Sequence, residues 1–371
     1  MKILYRYFTK EYLSSFLLGL FIFTFIFIMD KIFILSEFLV TKHVAFFSII
    51  KLFAYYLPAT FAITIPMGVL TAVLITWGKL SANNEITAIK AVGISLNSLI
   101  YLALFLGFSF FLLNAILNDT LLPCSNHAYK SLYYQIVQKK PAISIEEQVF
   151  TKIGNKEIYV NKIDNKRNTI KGIYLYEKIK EEDGDILFRY IFAKSGCWKG
   201  TVKSENQDKV LALKDGTIHQ TLEKEKEKYH IMKFNTHEVI FNSQEETYSE
   251  EHCKGLREMT SKELREKIKE YKERNIDINL FLVELYKKIS IPFACIVFTL
   301  VGTPLGLLAK KSGKSIGLGF SILIIFFYYL FLICGETLGK KGILIPLFSM
   351  WFPNIVLGFA GIILCIFAIR R

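Results

Sequence analysis

The chain has 371 residues, is 52% hydrophobic and carries a formal net charge of +13, which is more apolar than an ordinary soluble protein of this size. The charge does not point to nucleic acid. Residues 123–280 hold 29 Lys and Arg against 26 Asp and Glu, so the excess lies in the apolar flanks, where anionic lipid is the matching partner.

The apolar residues are gathered into long runs at the two ends of the chain, which predicts a membrane part enclosing a water-exposed part. A hydrocarbon core about 30 Å thick takes about 20 residues of helix. Six runs meet that length: Leu13–Met29, Phe46–Trp77, Leu99–Leu122, Ile289–Leu308, Ile316–Cys334 and Leu347–Ile369. The first follows Lys2, Arg6 and Lys10 as the core of a secretory signal would. It is too long for one, and Asp30 and Lys31 follow it instead of small residues, so it is expected to stay as a span. The second run contains Lys51, Pro58 and Pro66 and exceeds one crossing, so it is expected to begin outside the bilayer and to kink or tilt.

Basic residues in short loops set orientation. Lys2, Arg6, Lys10, Lys79, Lys90, Lys310, Lys311, Lys314, Arg370 and Arg371 share one side if six helices alternate. That side is expected to be cytoplasmic, with both termini there and the insertion in the periplasm of a two-membrane cell.

Between the second and third runs, residues 78–93 read GKLSANNEITAIKAVG. Ser81 can cap a helix whose first turn holds Asn83, Asn84 and Glu85, where the dipole favours acceptors and negative charge. Ile86, Ile89 and Val92 give that helix an apolar face, and Gly93 ends it. Such a helix could lie on the bilayer surface or dock a cytoplasmic motor.

The insertion, residues 123–280, shows strand chemistry at Val149–Ile153, Glu157–Val160, Gly172–Tyr176, Ile186–Ala193, Lys209–Leu213 and Tyr229–Phe234. Turn signals at Gly154-Asn155, Asp183-Gly184 and Asp215-Gly216 predict an antiparallel sandwich or jelly roll. The alternating Glu and Lys of residues 223–228 read as a solvated loop. Thr260 and Glu263 then form a capping box before Leu264, Ile268 and Tyr271 at helical spacing, predicting a helix of about 14 residues closed by Asn275 and Asp277. Six cysteines, Cys124, Cys197, Cys253, Cys295, Cys334 and Cys365, lack metal-like spacing.

Ser312-Gly313-Lys314-Ser315 is the nearest approach to a phosphate-binding loop. The motif's first glycine would fall at Leu308 and no strand precedes it, so it reads as a basic loop. No nucleophile elbow, metalloprotease motif or clustered carboxylates accompany the spans, and His230, His237 and His252 read as surface residues. The chain is expected to be no enzyme and to hold no metal or cofactor.

The segment from Gly78 resembles the coupling-helix segment of the LptF/LptG (YjgP/YjgQ) permease family. Arg6-Tyr7, PMGVLT from Pro66, ELYKKISIP from Glu284, TPLGL from Thr303 and GETLGKKG from Gly335 are similar to family landmarks in the same order. The resemblance implies a membrane α-helical fold with six transmembrane helices and an all-β periplasmic jellyroll-like domain between helices 3 and 4. Residues 1–122 would form helices 1–3 with a coupling helix at about 81–92, residues 123–280 the β-domain with its linker helix, and residues 281–371 helices 4–6.

By the same resemblance, the chain would be the permease of an ABC transporter that extracts lipopolysaccharide, or a related glycolipid, from the inner membrane. Its partners would be a sister permease, two copies of a cytoplasmic ATPase that hydrolyses ATP with Mg, a periplasmic bridge protein and a bitopic membrane protein. Glu85 would contact the ATPase, with Ser81, Asn84, Ile86, Ile89 and Gly93 shaping the coupling segment. Lys31 would hold lipid phosphate, and helices one and five would form the lateral gate. Lys42, Lys287 and Lys288 also flank outward helix ends where lipid phosphates could be met, or where they could serve as snorkelling anchors. The competing reading is a non-transporting scaffold that relays ATPase motion to an outer partner.

Overall fold

The computed structural model describes residues 2–40, 44–139, 150–153, 156–164, 169–180, 186–199, 209–222, 229–241, 254–274, 276–308 and 314–370. Six of its helices are long and apolar enough to cross a membrane. Helix α1 is Lys2–Val40, α2 Phe46–Ala82 and the short α3 Glu85–Ala91. Helix α4, Asn97–Ile116, runs through a π-helical turn at Leu117–Leu121 into α5, Leu122–Lys139. After the sheet come α6, Ser261–Glu273, then α7, Asn279–Leu308, α8, Lys314–Lys340, and α9, Pro346–Arg370. The chain divides into two compact units: Met1–Ile32 with Phe53–Ala128 and Gly255–Arg371, and Phe33–Leu52 with Tyr129–Lys254.

In the first unit the apolar residues of α1, α2, α4 and α7 meet around Phe8, Tyr12, Trp77, Leu80, Leu99 and Cys295. A second cluster gathers Phe23, Leu70, Leu74, Phe298, Tyr328 and Leu332. Helices α2 and α7 are the inner pair. They approach so closely that a Cβ on Gly306 would lie 2.6 Å from the Cβ of Trp77, the small-residue contact that packs helices where no hydrophobic effect drives them together. Two buried hydroxyls are satisfied within their own helices, Thr71 donating to Met67 O at 3.0 Å and Thr299 to Cys295 O at 2.8 Å. Helix α2 continues as one element through Pro58 and Pro66 from Phe46 to Ala82. An amide network ties α9 to α7, with Asn354 Nδ2 donating to Ser290 O and Oγ at 2.9 Å each, and Ser290 Oγ donating to Met350 O at 2.6 Å.

The second unit contains a six-stranded antiparallel sheet: β1 Phe150–Ile153, β2 Lys156–Asp164, β3 Thr169–Lys180, β4 Ile186–Lys199, β5 Lys209–Leu222 and β6 Tyr229–Phe241. The strands pair in chain order, an up-and-down arrangement, and among the described strands no crossing connection of the jelly-roll kind is needed to build the core. One line of unpaired positions crosses the sheet instead. Asn161, Gly172, Lys194, Asp215 and Asn235 are each skipped between paired neighbours.

At this crease the buried positions step by three residues rather than two, from Ile170 to Ile173 and from Ala193 to Gly196. Each long strand therefore contributes to two half-sheets, and apolar residues from both halves, Ile158, Ile173 and Ile191 from one and Ile170, Leu211 and Val239 from the other, share one core. Lys156 at the start of β2 reaches across to Ile240 O near the end of β6, at 2.5 Å. Gly172 has φ +63°, a conformation that favours glycine.

Two expectations change here. Asp215-Gly216 is not a hairpin turn: both residues lie inside β5, with Asp215 at φ 54° on the crease. The turn chemistry was real but it serves a bend within a strand. The capping box is present, Thr260 accepting from Glu263 N and Glu263 from Thr260 N, but the helix closes at Arg274. Gly154-Asn155, Asp183-Gly184, the 223–228 run, Cys253 and Asn275 lie outside the described residues, while Cys124 and Cys197 are free thiols.

Candidate functional site

Helix α3 sits at the end of the first unit where α1 begins and α2 ends. Asn84 precedes it in the left-handed region, φ 56°, with no side-chain cap. Ser81 does not cap it either: α2 runs on to Ala82, and the Ser81 hydroxyl donates to Leu307 O of α7 at 3.1 Å. At the other end Gly93 adopts φ +76°, its N–H donates to Lys90 O at 3.0 Å, and Ile94 N–H donates to Ile89 O at 3.2 Å. This paired closure satisfies the last carbonyls and fixes the turn.

Ile89 is buried with Ile86 packed beside it in the cluster that holds Phe8, Trp77 and Leu80. Val92 departs from the expected apolar face because the helix has ended at Ala91, and it is 76% exposed. Thr87, Ala88 and Lys90 are exposed with it. Glu85 is held at both sides: Asn83 Nδ2 donates to its Oε1 at 2.9 Å, and the Tyr7 hydroxyl of α1 donates to the same oxygen at 3.3 Å. Lys79 pairs with Glu11 at 2.7 Å, and the Tyr5 and Ser98 hydroxyls share a short hydrogen bond.

The lysines expected at the other helix ends differ in their surroundings. Lys31 is partly exposed, 3.4 Å from the neighbouring Asp30 carboxylate and 5.8 Å from the centre of the Tyr56 ring. Lys42 lies outside the described residues. Lys287 pairs with Glu336 at 2.7 Å, whose other oxygen takes Lys340 at 2.6 Å. Lys288 is buried; it donates to Met259 O at 2.5 Å and lies 3.5 Å from Asp119. Asp119 also accepts from Ser261 N at 2.8 Å. Desolvated and partnered in this way, Lys288 joins the π-helical turn to the start of α6, and its ammonium is turned inward.

Close by, Asn126 Nδ2 donates to Arg257 O at 3.1 Å and His127 pairs with Glu258 at 3.0 Å. Asp119 was open to sequence reasoning, since an acid inside an apolar run marks a specific role. Tyr7 entered only within the Arg6-Tyr7 landmark, with no role attached to it, and Tyr5 gave no signal. Among the described residues no group of His, Cys, Asp and Glu is arranged to hold a metal.

Comparison with curated proteins returned no match. A family model described as "Lipopolysaccharide export system permease LptF/LptG" matches residues 6–366. That match takes in all six spans, the α3 segment and the inserted sheet together, and the chain therefore belongs to the LptF/LptG family of lipopolysaccharide export permeases.

Proposed function

We propose that this multi-pass permease works as one half of a pair, with a sister permease and two copies of a cytoplasmic ATPase. It draws lipopolysaccharide or a related glycolipid from the inner membrane and passes it toward a periplasmic β bridge. ATP and Mg are handled by the ATPase, and the chain's own contribution is mechanical. The reading rests above all on α3. It is a separate seven-residue helix, closed at Gly93 and seated by Ile89, with Thr87, Ala88, Lys90 and Val92 outward as a small firm surface at the basic end of the spans.

In this reading α3 lies on the cytoplasmic side, with both termini. Glu85 organises the docking surface, and ATP-driven movement of α3 changes the packing of the spans. Lys31 is the lysine best placed to meet a lipid phosphate, since it is partly exposed and beside an aromatic ring. Lys287, already shared with Glu336, is a weaker candidate, and Lys288 acts as a structural tie.

Charge reversal tests the docking claim directly. Glu85→Lys is expected to strip the ATPase from the purified permease pair and to stop lipid release; an intact complex that still transports would refute it. Mass spectrometry of lipid retained by the complex separates a transporter from a scaffold, since a scaffold would retain none selectively.

A further inference from the structure

Helix α3 is joined by the chain to α2 and α4 alone, through turns that contain Asn84 at φ 56° and Gly93 at φ 76°. Helix α1 is distant in sequence, yet its first turns touch every part of this hairpin. Tyr5 bonds Ser98 of α4, Tyr7 donates to Glu85 of α3 at 3.3 Å, and Glu11 pairs with Lys79 of α2 at 2.7 Å. Beneath these polar contacts Phe8 lies in the same buried cluster as Leu80, Ile89 and Leu99. Packed apolar contacts of this kind resist deformation and transmit displacement.

We infer that Tyr5 and Tyr7 are positioning residues that make the start of α1 an output of the coupling hairpin, so that a stroke on α3 is delivered to α1 directly. The inference rests on the proposed docking of the ATPase at α3. Glu85 then has two duties: it faces the motor, and through Tyr7 it holds α1. The hairpin turns are narrow backbone connections with left-handed residues, whereas α1 is gripped at three points over successive turns. Displacement of α3 without α1 would break the Tyr7 bond and unseat Ile89. Displacement with α1 keeps the Tyr7 bond.

The test uses the complete permease pair with its ATPase in vesicles loaded with purified lipopolysaccharide, reading lipid released per ATP hydrolysed. Tyr7→Phe and Tyr5→Phe keep the rings and remove the hydroxyls. The double variant is expected to lower that ratio roughly three- to tenfold, the scale of a lost hydrogen bond to a charged acceptor at a partly exposed site. Tyr7→Phe on a Glu85→Ala background is expected to add nothing further, because both changes remove the same contact. A merely structural tyrosine would give additive losses.

A wild-type ratio in the double variant with ATPase still bound, or additive behaviour of the Tyr7 and Glu85 changes, overturns the inference. If the tyrosine variants fail to assemble, Ser98→Ala removes the partner of Tyr5 without touching α1, and an unchanged ratio there overturns the Tyr5 link. Should Glu85→Lys leave ATPase binding intact, the docking reading fails, independently of how α1 and α3 prove to be coupled.

Discussion

Helices α2 and α7 differ from the other four spans in what surrounds them, although all six are comparably apolar. The most apolar stretches of α2 and α7 are 83% and 67% buried within the protein, against 22–28% for the spans in α1, α4, α8 and α9. The inner pair carries small and hydroxylated residues at its contacts, among them Thr64, Thr71, Ser290, Thr299 and Thr303, all buried. The outer helices present Phe21, Phe25, Phe326, Phe327 and Phe359 outward. Hydropathy tells only that a helix leaves water. Whether it enters lipid or protein is decided by the small residues that let backbones approach.

Substitutions at matched positions can break this contrast. The largest effect is expected from Gly306→Leu, which forces a side chain into the space of Trp77 and should cost more than about 3 kcal/mol, lowering the thermal midpoint and the yield of folded protein in detergent. Gly319→Leu on α8, where an added Cβ meets no atom within 4 Å, is expected to change stability by less than about 0.5 kcal/mol. Equal losses at the two sites would erase the distinction.

Truncation gives a second matched pair, read from the same thermal unfolding. Leu70→Ala, at a fully buried site, is expected to cost about 3 kcal/mol. Phe326→Ala, 60% exposed, is expected to cost under about 1 kcal/mol in detergent.

Polar ties of the inner helices come next. Lys288→Met leaves Asp119 facing an apolar side chain and is expected to cost about 2 kcal/mol, the lower range for a broken pair because Asp119 is partly exposed. Lys288→Met with Asp119→Leu should recover part of it, measured as non-additivity in a double-mutant cycle.

The smallest effect belongs to the sheet, outside both helix classes. Burial, assisted by Arg189 and opposed by Glu177, holds the His237 imidazole below its usual range. The unfolded chain then takes up a proton first as pH falls below about 6.5, so the sheet loses stability on acidification. His237→Gln is expected to flatten the fall in its thermal midpoint between about pH 7.5 and about pH 5.5; an unchanged slope would remove His237 as its source.

Much of the fold was legible because it is local. The six spans depend on run length, the start of α6 on Thr260 and Glu263 three residues apart, and the closure of α3 on Gly93. Contacts between distant residues were not legible. Ser81 reads as a cap by its neighbours, but its hydroxyl is claimed by Leu307, 226 positions away. Lys288 reads like its neighbour Lys287, but the helix turns one toward Asp119 and Met259 and the other toward Glu336. Asp215-Gly216 reads as a hairpin because the same backbone freedom serves a turn and a bend. Of the candidate site, Glu85, Ile89 and Gly93 could be singled out from spacing, whereas Tyr7, the residue that bonds Glu85, could not.

The crease in the sheet has a consequence for how its strands can be rearranged. In an ordinary pleated sheet a slide of two residues keeps every side chain on its own face. Here such a slide would carry Gly172 or Asp215 off the bend line and turn the side chains that cross the bend to the wrong side. Each of the strands β2–β6 is thus notched at one level, like the wards of a key. A foreign strand joining an edge must either carry a matching notch or stop at it, which limits promiscuous growth of the sheet.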